Sequence, residues 1–344
     1  MLNYYFTETD DGSTGLYSKT AGDILHSKEG ALKEAFEKFI NPANKILKSN
    51  NNLRILDLCS GVGYNLKALL TKMKNKCAQI DCVDINWDFI LLSPFIIDNI
   101  NDINMKLFLL SGFSFIDNFV DRINTLISNL EESGFKKFLC PSMTDLIKFL
   151  FREGYKDSGR ALNLSFLHNI YYKYISSSMK YSLNANEYSN IEISYKLGDA
   201  RTIIKNLHYS YDLVFHDGFA PQKDPALWTF DFLSLLKNNL HYDSLITTYS
   251  KSSPFRSALC NLNFFVGKTF SNGLEIGTIA SLNHDNIICP LSDRDLKLLE
   301  TKSGICYKDP FLNLPSSEIL RNRELEQKNS NRQSRTSFSK LYSH

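Results

Sequence analysis

Four carboxylates in this chain stand where short apolar runs stop: Asp57 after Ile55-Leu56, Asp84 after Ile80–Val83, Asp199 after Ile191–Leu197, and Asp217 after Leu213–Phe215. An acid at the end of a buried strand lies where open α/β sheets bind ligands. There it can accept a hydrogen bond from a ribose hydroxyl or an amino group, offset a ligand's positive charge, or receive a proton. Taken singly, each acid also reads as a cap on the helix that follows. Beside the first acid, Gly61 and Gly63 would let the backbone come close to a ligand. A lone Gly-x-Gly is weak evidence, but Asp84 follows at about the βαβ distance at which an acid meets ribose hydroxyls. Four such acids beside a glycine turn fit a nucleoside-bearing ligand. A pyrophosphate would prefer fewer carboxylates nearby, whereas the sulfonium and amino groups of S-adenosyl-L-methionine suit them.

The elements that must carry these residues follow from apolar periodicity. Leu53–Asn65 is strand, glycine turn and helix start, and Ile80–Asp84 is a second strand. Ile191–Leu197 alternates as a strand before Gly198-Asp199-Ala200-Arg201. Tyr211–Phe215 is a short buried strand that breaks at Asp217-Gly218 and enters a loop with Pro221 and Pro225, which cannot extend a central strand. Phe230–Leu240 reads as helix, Leu245–Tyr249 as strand, Phe255–Leu262 as helix, and Phe264–Val266 with Gly277–Leu282 as a closing hairpin. Before them lie a short β region, with candidate strands at Leu16-Tyr17 and Ile24-Leu25, and a helix over Glu29–Ile40. The organisation predicted is an N-terminal β region (1–28), an α/β domain (29–290) with a helical insertion at about 100–188, and a C-terminal extension (291–344).

Within the insertion, helices are predicted over 116–130, 142–151 and 164–175. Its second half holds Arg152, Lys156, Arg160, Lys173 and Lys180 among Tyr155, Phe166, Tyr171, Tyr172, Tyr174 and Tyr181. Cations can meet phosphates while aromatic faces stack on unpaired bases, and the same pattern also describes an amphipathic helix with a solvated basic face. From Arg321 the chain turns polar and basic, which predicts a poorly ordered tail. Hydrophobic content of 43% and charged content of 22% suit a globular chain. A net charge of +2 leaves any nucleic-acid affinity to local patches. Seven scattered cysteines without a CxxC pair, no apolar run near the ~18 residues of a membrane span, and no signal-like N-terminus predict a cytoplasmic protein with reduced thiols and no bound metal.

The residues also carry a family likeness. Asp217-Gly-Phe-Ala-Pro221, then Asp224-Pro225 and Trp228, together with the loop Leu56–Asn65, Gly198-Asp199-Ala200, Gly277–Ala280 and His26–Ala31, resemble the methyltransferase half of the bacterial tRNA wobble-uridine enzyme MnmC. Leu167–Tyr172 and the segments Leu291–Asp295 and Tyr307–Pro310 are similar to those of its stand-alone relatives. The resemblance implies a Rossmann-like class I methyltransferase fold and S-adenosyl-L-methionine as cofactor. It further implies N-methylation of the aminomethyl group of 5-aminomethyl-2-thiouridine at the tRNA wobble position. It points to Asp217 as the catalytic group. It assigns Asp57, Gly61, Gly63, Asn65, Asp84, Asp199 and Ala200 to the cofactor, and Phe219, Pro221, Lys251, Arg160, Lys173 and Tyr171 to the substrate. Cys59 replaces the first glycine of the family's loop, so its side chain must point away from the cofactor. Too little chain follows the last strand for a flavin oxidase half, so no flavin is expected. The rival readings are a small-molecule amino-methyltransferase or one acting on another nucleic acid, a non-catalytic RNA-binding protein, and a nicotinamide oxidoreductase.

Overall fold

The computed structural model describes residues 4–18, 23–24, 29–100, 103, 119–132, 134–141, 145 and 190–341. The chain divides into two compact units, one of Met1–Glu34, Ser60–Ile80 and Asn86–Tyr195, the other of Ala35–Cys59, Asp81–Ile85 and Lys196–His344.

In the first unit, β1 (Tyr4–Glu8), β2 (Thr14–Ser18) and β3 (Asp23–Ile24) form an antiparallel sheet in that order. The turn between β1 and β2 is closed by Asp11, whose carboxylate accepts from the Ser13 backbone N–H and hydroxyl. The sheet meets the helix Tyr64–Leu70 through the Tyr64 hydroxyl, which accepts from the Thr14 N–H at 2.8 Å. On the same helix, fully buried Lys67 is paired with Asp98 at 3.0 Å. Burial in low dielectric lowers the Lys67 pKa against the opposing pull of Asp98. The helix expected at 116–130 is present as Phe119–Glu132. Those expected at 142–151 and 164–175 fall, apart from Asp145, outside the described residues.

The main sheet contains β4 (Asn52–Leu58), β5 (Cys77–Asp84), β6 (Ile191–Leu197), β7 (Tyr211–His216), β8 (Leu240–Thr248), β9 (Phe265–Ser271) and β10 (Leu274–Ser281). Their spatial order is β6-β5-β4-β7-β8-β10-β9. β4, β7 and β8 run parallel, and β10 returns antiparallel to both β8 and β9. The strand order therefore reverses direction between β4 and β7. That is the switch point where a crevice opens at the carboxyl ends of the strands.

The closing hairpin is longer than its apolar residues alone predict. Its turn, Asn272-Gly273, places both residues at positive φ, a two-residue connection that suits the strand twist. In the second unit, helices start on identifiable caps. Thr229 accepts from the Phe232 N–H, Pro254 sits in the first turn of Ser253–Asn261, and Ser292 makes a capping box with Asp295. Leu56, Val214, Ile246 and Ala280 of the sheet share one core with Trp228, Phe232 and Phe255.

The C-terminal stretch differs from the expected disordered tail. It forms helices over Ser316–Asn329 and Arg335–Leu341. Polar composition describes what faces water, whereas a few anchors fix the helices. Ile319 and Phe338 are buried, and Arg323 donates to the carbonyls of Ile305 (2.6 Å) and Ser303 (3.0 Å) while lying over the Tyr307 ring.

Candidate active site

In the second unit, backbone hydrogen bonds line up the strand ends. The Cys59 N–H donates to Val83 O (2.8 Å), the Asp217 N–H to Leu58 O (3.2 Å), and the Gly198 N–H to Asp84 O (2.9 Å). In the parallel register Asp57 lies opposite Phe215 and Leu58 opposite His216, so Asp217 is the first residue beyond the strand at the switch point. Asp57 and Asp84 are buried and Asp217 is half-buried. Their common neighbour is Cys59, whose thiol is pushed well up in pKa by burial and by the charges of Asp84, Asp217, Asp224 and Asp57. The structure thus brings three of the four expected acids together and adds Asp224, an exposed loop residue with no apolar run before it. A thiol held protonated beside these acids is a poor nucleophile.

Cys59 adopts φ 62°, a left-handed conformation that costs an L-residue about 1–2 kcal/mol. The loop then continues into the first unit, where Gly61 and Gly63 also have positive φ, 53° and 78°. Gly63 donates to Ser60 O at 2.8 Å and begins the helix that carries buried Asn65. A Cβ on Gly63 would come 2.5 Å from the Ser93 hydroxyl oxygen. Gly63→Ala is therefore expected to cost about 1–2 kcal/mol from backbone conformation alone, read by chemical denaturation. Adding Ser93→Gly should recover only the steric part. Full recovery would show that φ at position 63 carries no strain.

The loop Asp217–Trp228 is pinned from three sides. The Trp228 indole N–H donates to Phe219 O (2.8 Å), the Tyr249 hydroxyl donates to Gly218 O (2.7 Å), and His216 Nε2 bonds Leu227 O (2.9 Å). Because a carbonyl only accepts, His216 carries its proton on Nε2. Phe219 is half-buried and Pro221 buried. Burial, which outweighs the opposing hydrogen bonds to the Leu227 carbonyl and to the residue's own backbone, drops the His216 pKa to about 4 from 6.5. A folded pKa below the unfolded one means that the unfolded chain binds the extra proton first. Stability should therefore be undiminished above about pH 6.5 and fall by roughly 1.4 kcal/mol per pH unit between there and about pH 4. Denaturation at stepped pH should show this slope, and His216→Leu should reduce it by about that amount.

Asp199, the fourth expected acid, engages Arg201. Its Oδ1 accepts from the Arg201 N–H at 2.9 Å as a helix cap, and the guanidinium reaches both its oxygens at 2.6–3.1 Å. Burial would raise the Asp199 carboxyl, but the Arg201 hydrogen bonds and charge outweigh it and hold the pKa below the usual carboxylate range. Arg201 also bonds buried Asp309 (2.8 Å) and Leu314 O (2.9 Å). Only the helix-capping position of Asp199 hinted at Arg201, and Asp309 was marked only as part of the segment Tyr307–Pro310, with no role attached to it. Ala200 is buried at the start of the helix Ala200–Lys205. Lys251 is exposed, and its Nζ donates to Glu275 O at 3.1 Å. Arg160, Lys173 and Tyr171 lie outside the described residues.

A reversing parallel sheet with a closing antiparallel hairpin, a glycine turn after β4 and acids at the strand ends defines a class I methyltransferase. Residues 164–280 match the profile of an S-adenosyl-L-methionine-dependent methyltransferase family. The chain is 30% identical over 325 residues to the uncharacterized protein MJ0670 of Methanocaldococcus jannaschii, covering 93% of this chain and 72% of that one. It is 32% identical over 80 residues to the tRNA 5-methylaminomethyl-2-thiouridine biosynthesis bifunctional protein MnmC of Campylobacter hominis, 23% of this chain and 12% of that protein. The crystal structure of MNMC2 from Aquifex aeolicus superposes with a TM-score of 0.62 at 25% identity, covering 96% of this chain and 87% of that one. The chain belongs to this S-adenosyl-L-methionine-dependent methyltransferase family. Within the second unit the residues present fit that cofactor: the carboxylates around Cys59 suit a cation. Among the described residues no helix is long and apolar enough to cross a membrane.

Proposed function

We propose that this protein methylates the primary amine of 5-aminomethyl-2-thiouridine at the wobble position of tRNA, in the cytoplasm. The observation that supports this reading most is the pinned loop Asp217–Trp228, which holds a carboxylate at the switch point beside an aromatic and two prolines. The MnmC proteins that share sequence with this chain are named for biosynthesis of 5-methylaminomethyl-2-thiouridine, the product such a methylation would give, and the likeness to MNMC2 extends over nearly the whole chain.

S-adenosyl-L-methionine supplies an electrophilic methyl group on a positively charged sulfur. An alkylamine is mostly protonated at pH 7 and attacks only through its lone pair. Asp217 is assigned to accept a hydrogen bond from the ammonium, draw off its proton and leave the lone pair aimed at the methyl carbon. Formation of the nitrogen–carbon bond and loss of the carbon–sulfur bond leave a secondary ammonium and a neutral thioether. Phe219 and Pro221 wall the extruded base and exclude water. Asp57, Gly61, Gly63 and Asn65 are assigned to the methionine portion, Asp84 to the ribose, and Asp199 with Ala200 to the adenine. Lys251, Arg160, Lys173 and Tyr171 are assigned to the RNA.

The deciding experiment is mass spectrometry of tRNA wobble nucleosides from a deletion strain. Accumulation of the unmethylated aminomethyl nucleoside, reversed in vitro by the purified protein with cofactor, is the expected result. An unchanged nucleoside profile would overturn the assignment to this base.

A further inference from the structure

The strand-end acids are not equivalent. Asp57, Asp84 and Asp217 act on one buried thiol together with Asp224, whereas Asp199 is forked onto a guanidinium that it shares with Asp309. An acid whose two oxygens already face a guanidinium is a weaker counter-charge for a charged ligand group. A neutral donor, such as the exocyclic amino group of adenine, needs only a correctly aimed acceptor.

Arg201 supplies the aim, and its own position is fixed from behind. Its Nη1 spans Asp309 Oδ2 and Leu314 O, while Nε and Nη2 fork onto Asp199. Asp309 has no exposed surface. Its other oxygen accepts from the Asn313 and Leu314 N–H groups, both at 3.1 Å, and its own N–H donates to Asp231. That carboxylate cannot rotate without breaking two backbone hydrogen bonds. A planar fork between a fixed acid and a part-exposed one transmits orientation in a way a point charge does not. The Asp199 side chain remains 37% exposed, so acceptor capacity is left over for a ligand.

We propose that Arg201, held by Asp309 of the C-terminal segment, is a positioning residue that fixes Asp199 to select the adenine amino group of the cofactor. This rests on the reading of Asp199 as the adenine contact. The ordering cost of the acceptor is met within the fold before the ligand arrives, so the gain appears as discrimination between bases as well as affinity.

The test compares calorimetric binding of S-adenosylhomocysteine with that of its inosine analogue, in which a carbonyl replaces the amino group. The wild-type protein is expected to prefer the adenine ligand by about tenfold or more, the effect of pairing versus orphaning one site acceptor. Asp199→Asn, Asp309→Asn and Arg201→Lys should each bring the ratio of dissociation constants below about threefold. A purely structural role for Asp309 would weaken both ligands alike and leave the ratio intact. Arg201→Lys, at a part-exposed position, keeps the test open should Asp309→Asn fold poorly. A wild-type ratio near one, or a ratio unmoved by Asp199→Asn, overturns the adenine reading and the inference with it. A ratio that falls in Asp199→Asn but stays at the wild-type value in Asp309→Asn and Arg201→Lys overturns the inference alone.

Discussion

Asp217→Ala is expected to lower kcat for methylation of undermodified tRNA by about 10²–10⁴-fold, the range for loss of a positioned acid–base group. Binding of S-adenosylhomocysteine should change by no more than about twofold, because Asp217 is assigned to the amine and the loop is pinned by groups other than its side chain. The comparison with Asp217→Asn separates two roles. An amide can still orient the amine but cannot receive its proton. A loss equal to that of the alanine variant assigns proton transfer, and a loss of about tenfold or less assigns positioning. Near-wild-type turnover by Asp217→Ala would remove this residue from the mechanism.

The second large effect is on stability. Trp228 has no exposed surface, and its ring lies 4.1 Å from His216 and 4.9 Å from Phe255, centroid to centroid. Trp228→Ala should cost about 3–5 kcal/mol in denaturant unfolding followed by circular dichroism. It also removes the donor to Phe219 O, so turnover should drop beyond what the lost folded fraction explains. Trp228→Phe keeps much of the packing without the donor. It is expected to recover more than half of the stability while turnover stays low. If turnover recovers in step with stability, the indole N–H has no part in holding the loop.

The features visible from sequence were those set by local pattern. Apolar runs ended by Asp57, Asp84 and Asp217 showed both the strands and their carboxyl ends, because alternation and termination are encoded within a few residues. Gly61 and Gly63 were visible for the same reason, since positive φ restricts residue choice at a single position. Features that depend on distant partners were not visible. Arg201 and Asp309 are 108 residues apart, and neither has a neighbour that announces the other. Asp224 follows no strand and becomes part of the charge around Cys59 only through the turn in which its N–H donates to Ala220 O. β1, Tyr4–Glu8, lies in the expected β region but was not singled out as a strand, because Tyr4-Tyr5-Phe6 is an aromatic run without alternation. The C-terminal helices were missed because composition counts charges without showing which carbonyls an arginine will meet.

The bond between Arg201 and Asp309 also orders events in time. A ribosome adding about 5–20 residues per second delivers Asp309 roughly 5–20 s after Arg201. Through that interval the nascent chain has its strand-end acids in sequence, but Arg201 has no Asp309 to lean against. A stop codon or a protease cut ahead of Asp309 would hold the chain permanently at that stage, with Asp199 capping its helix but no longer braced. On the proposed reading of Asp199, ligand discrimination there is complete only once Asp309 has been made, and is lost when a cut falls ahead of it.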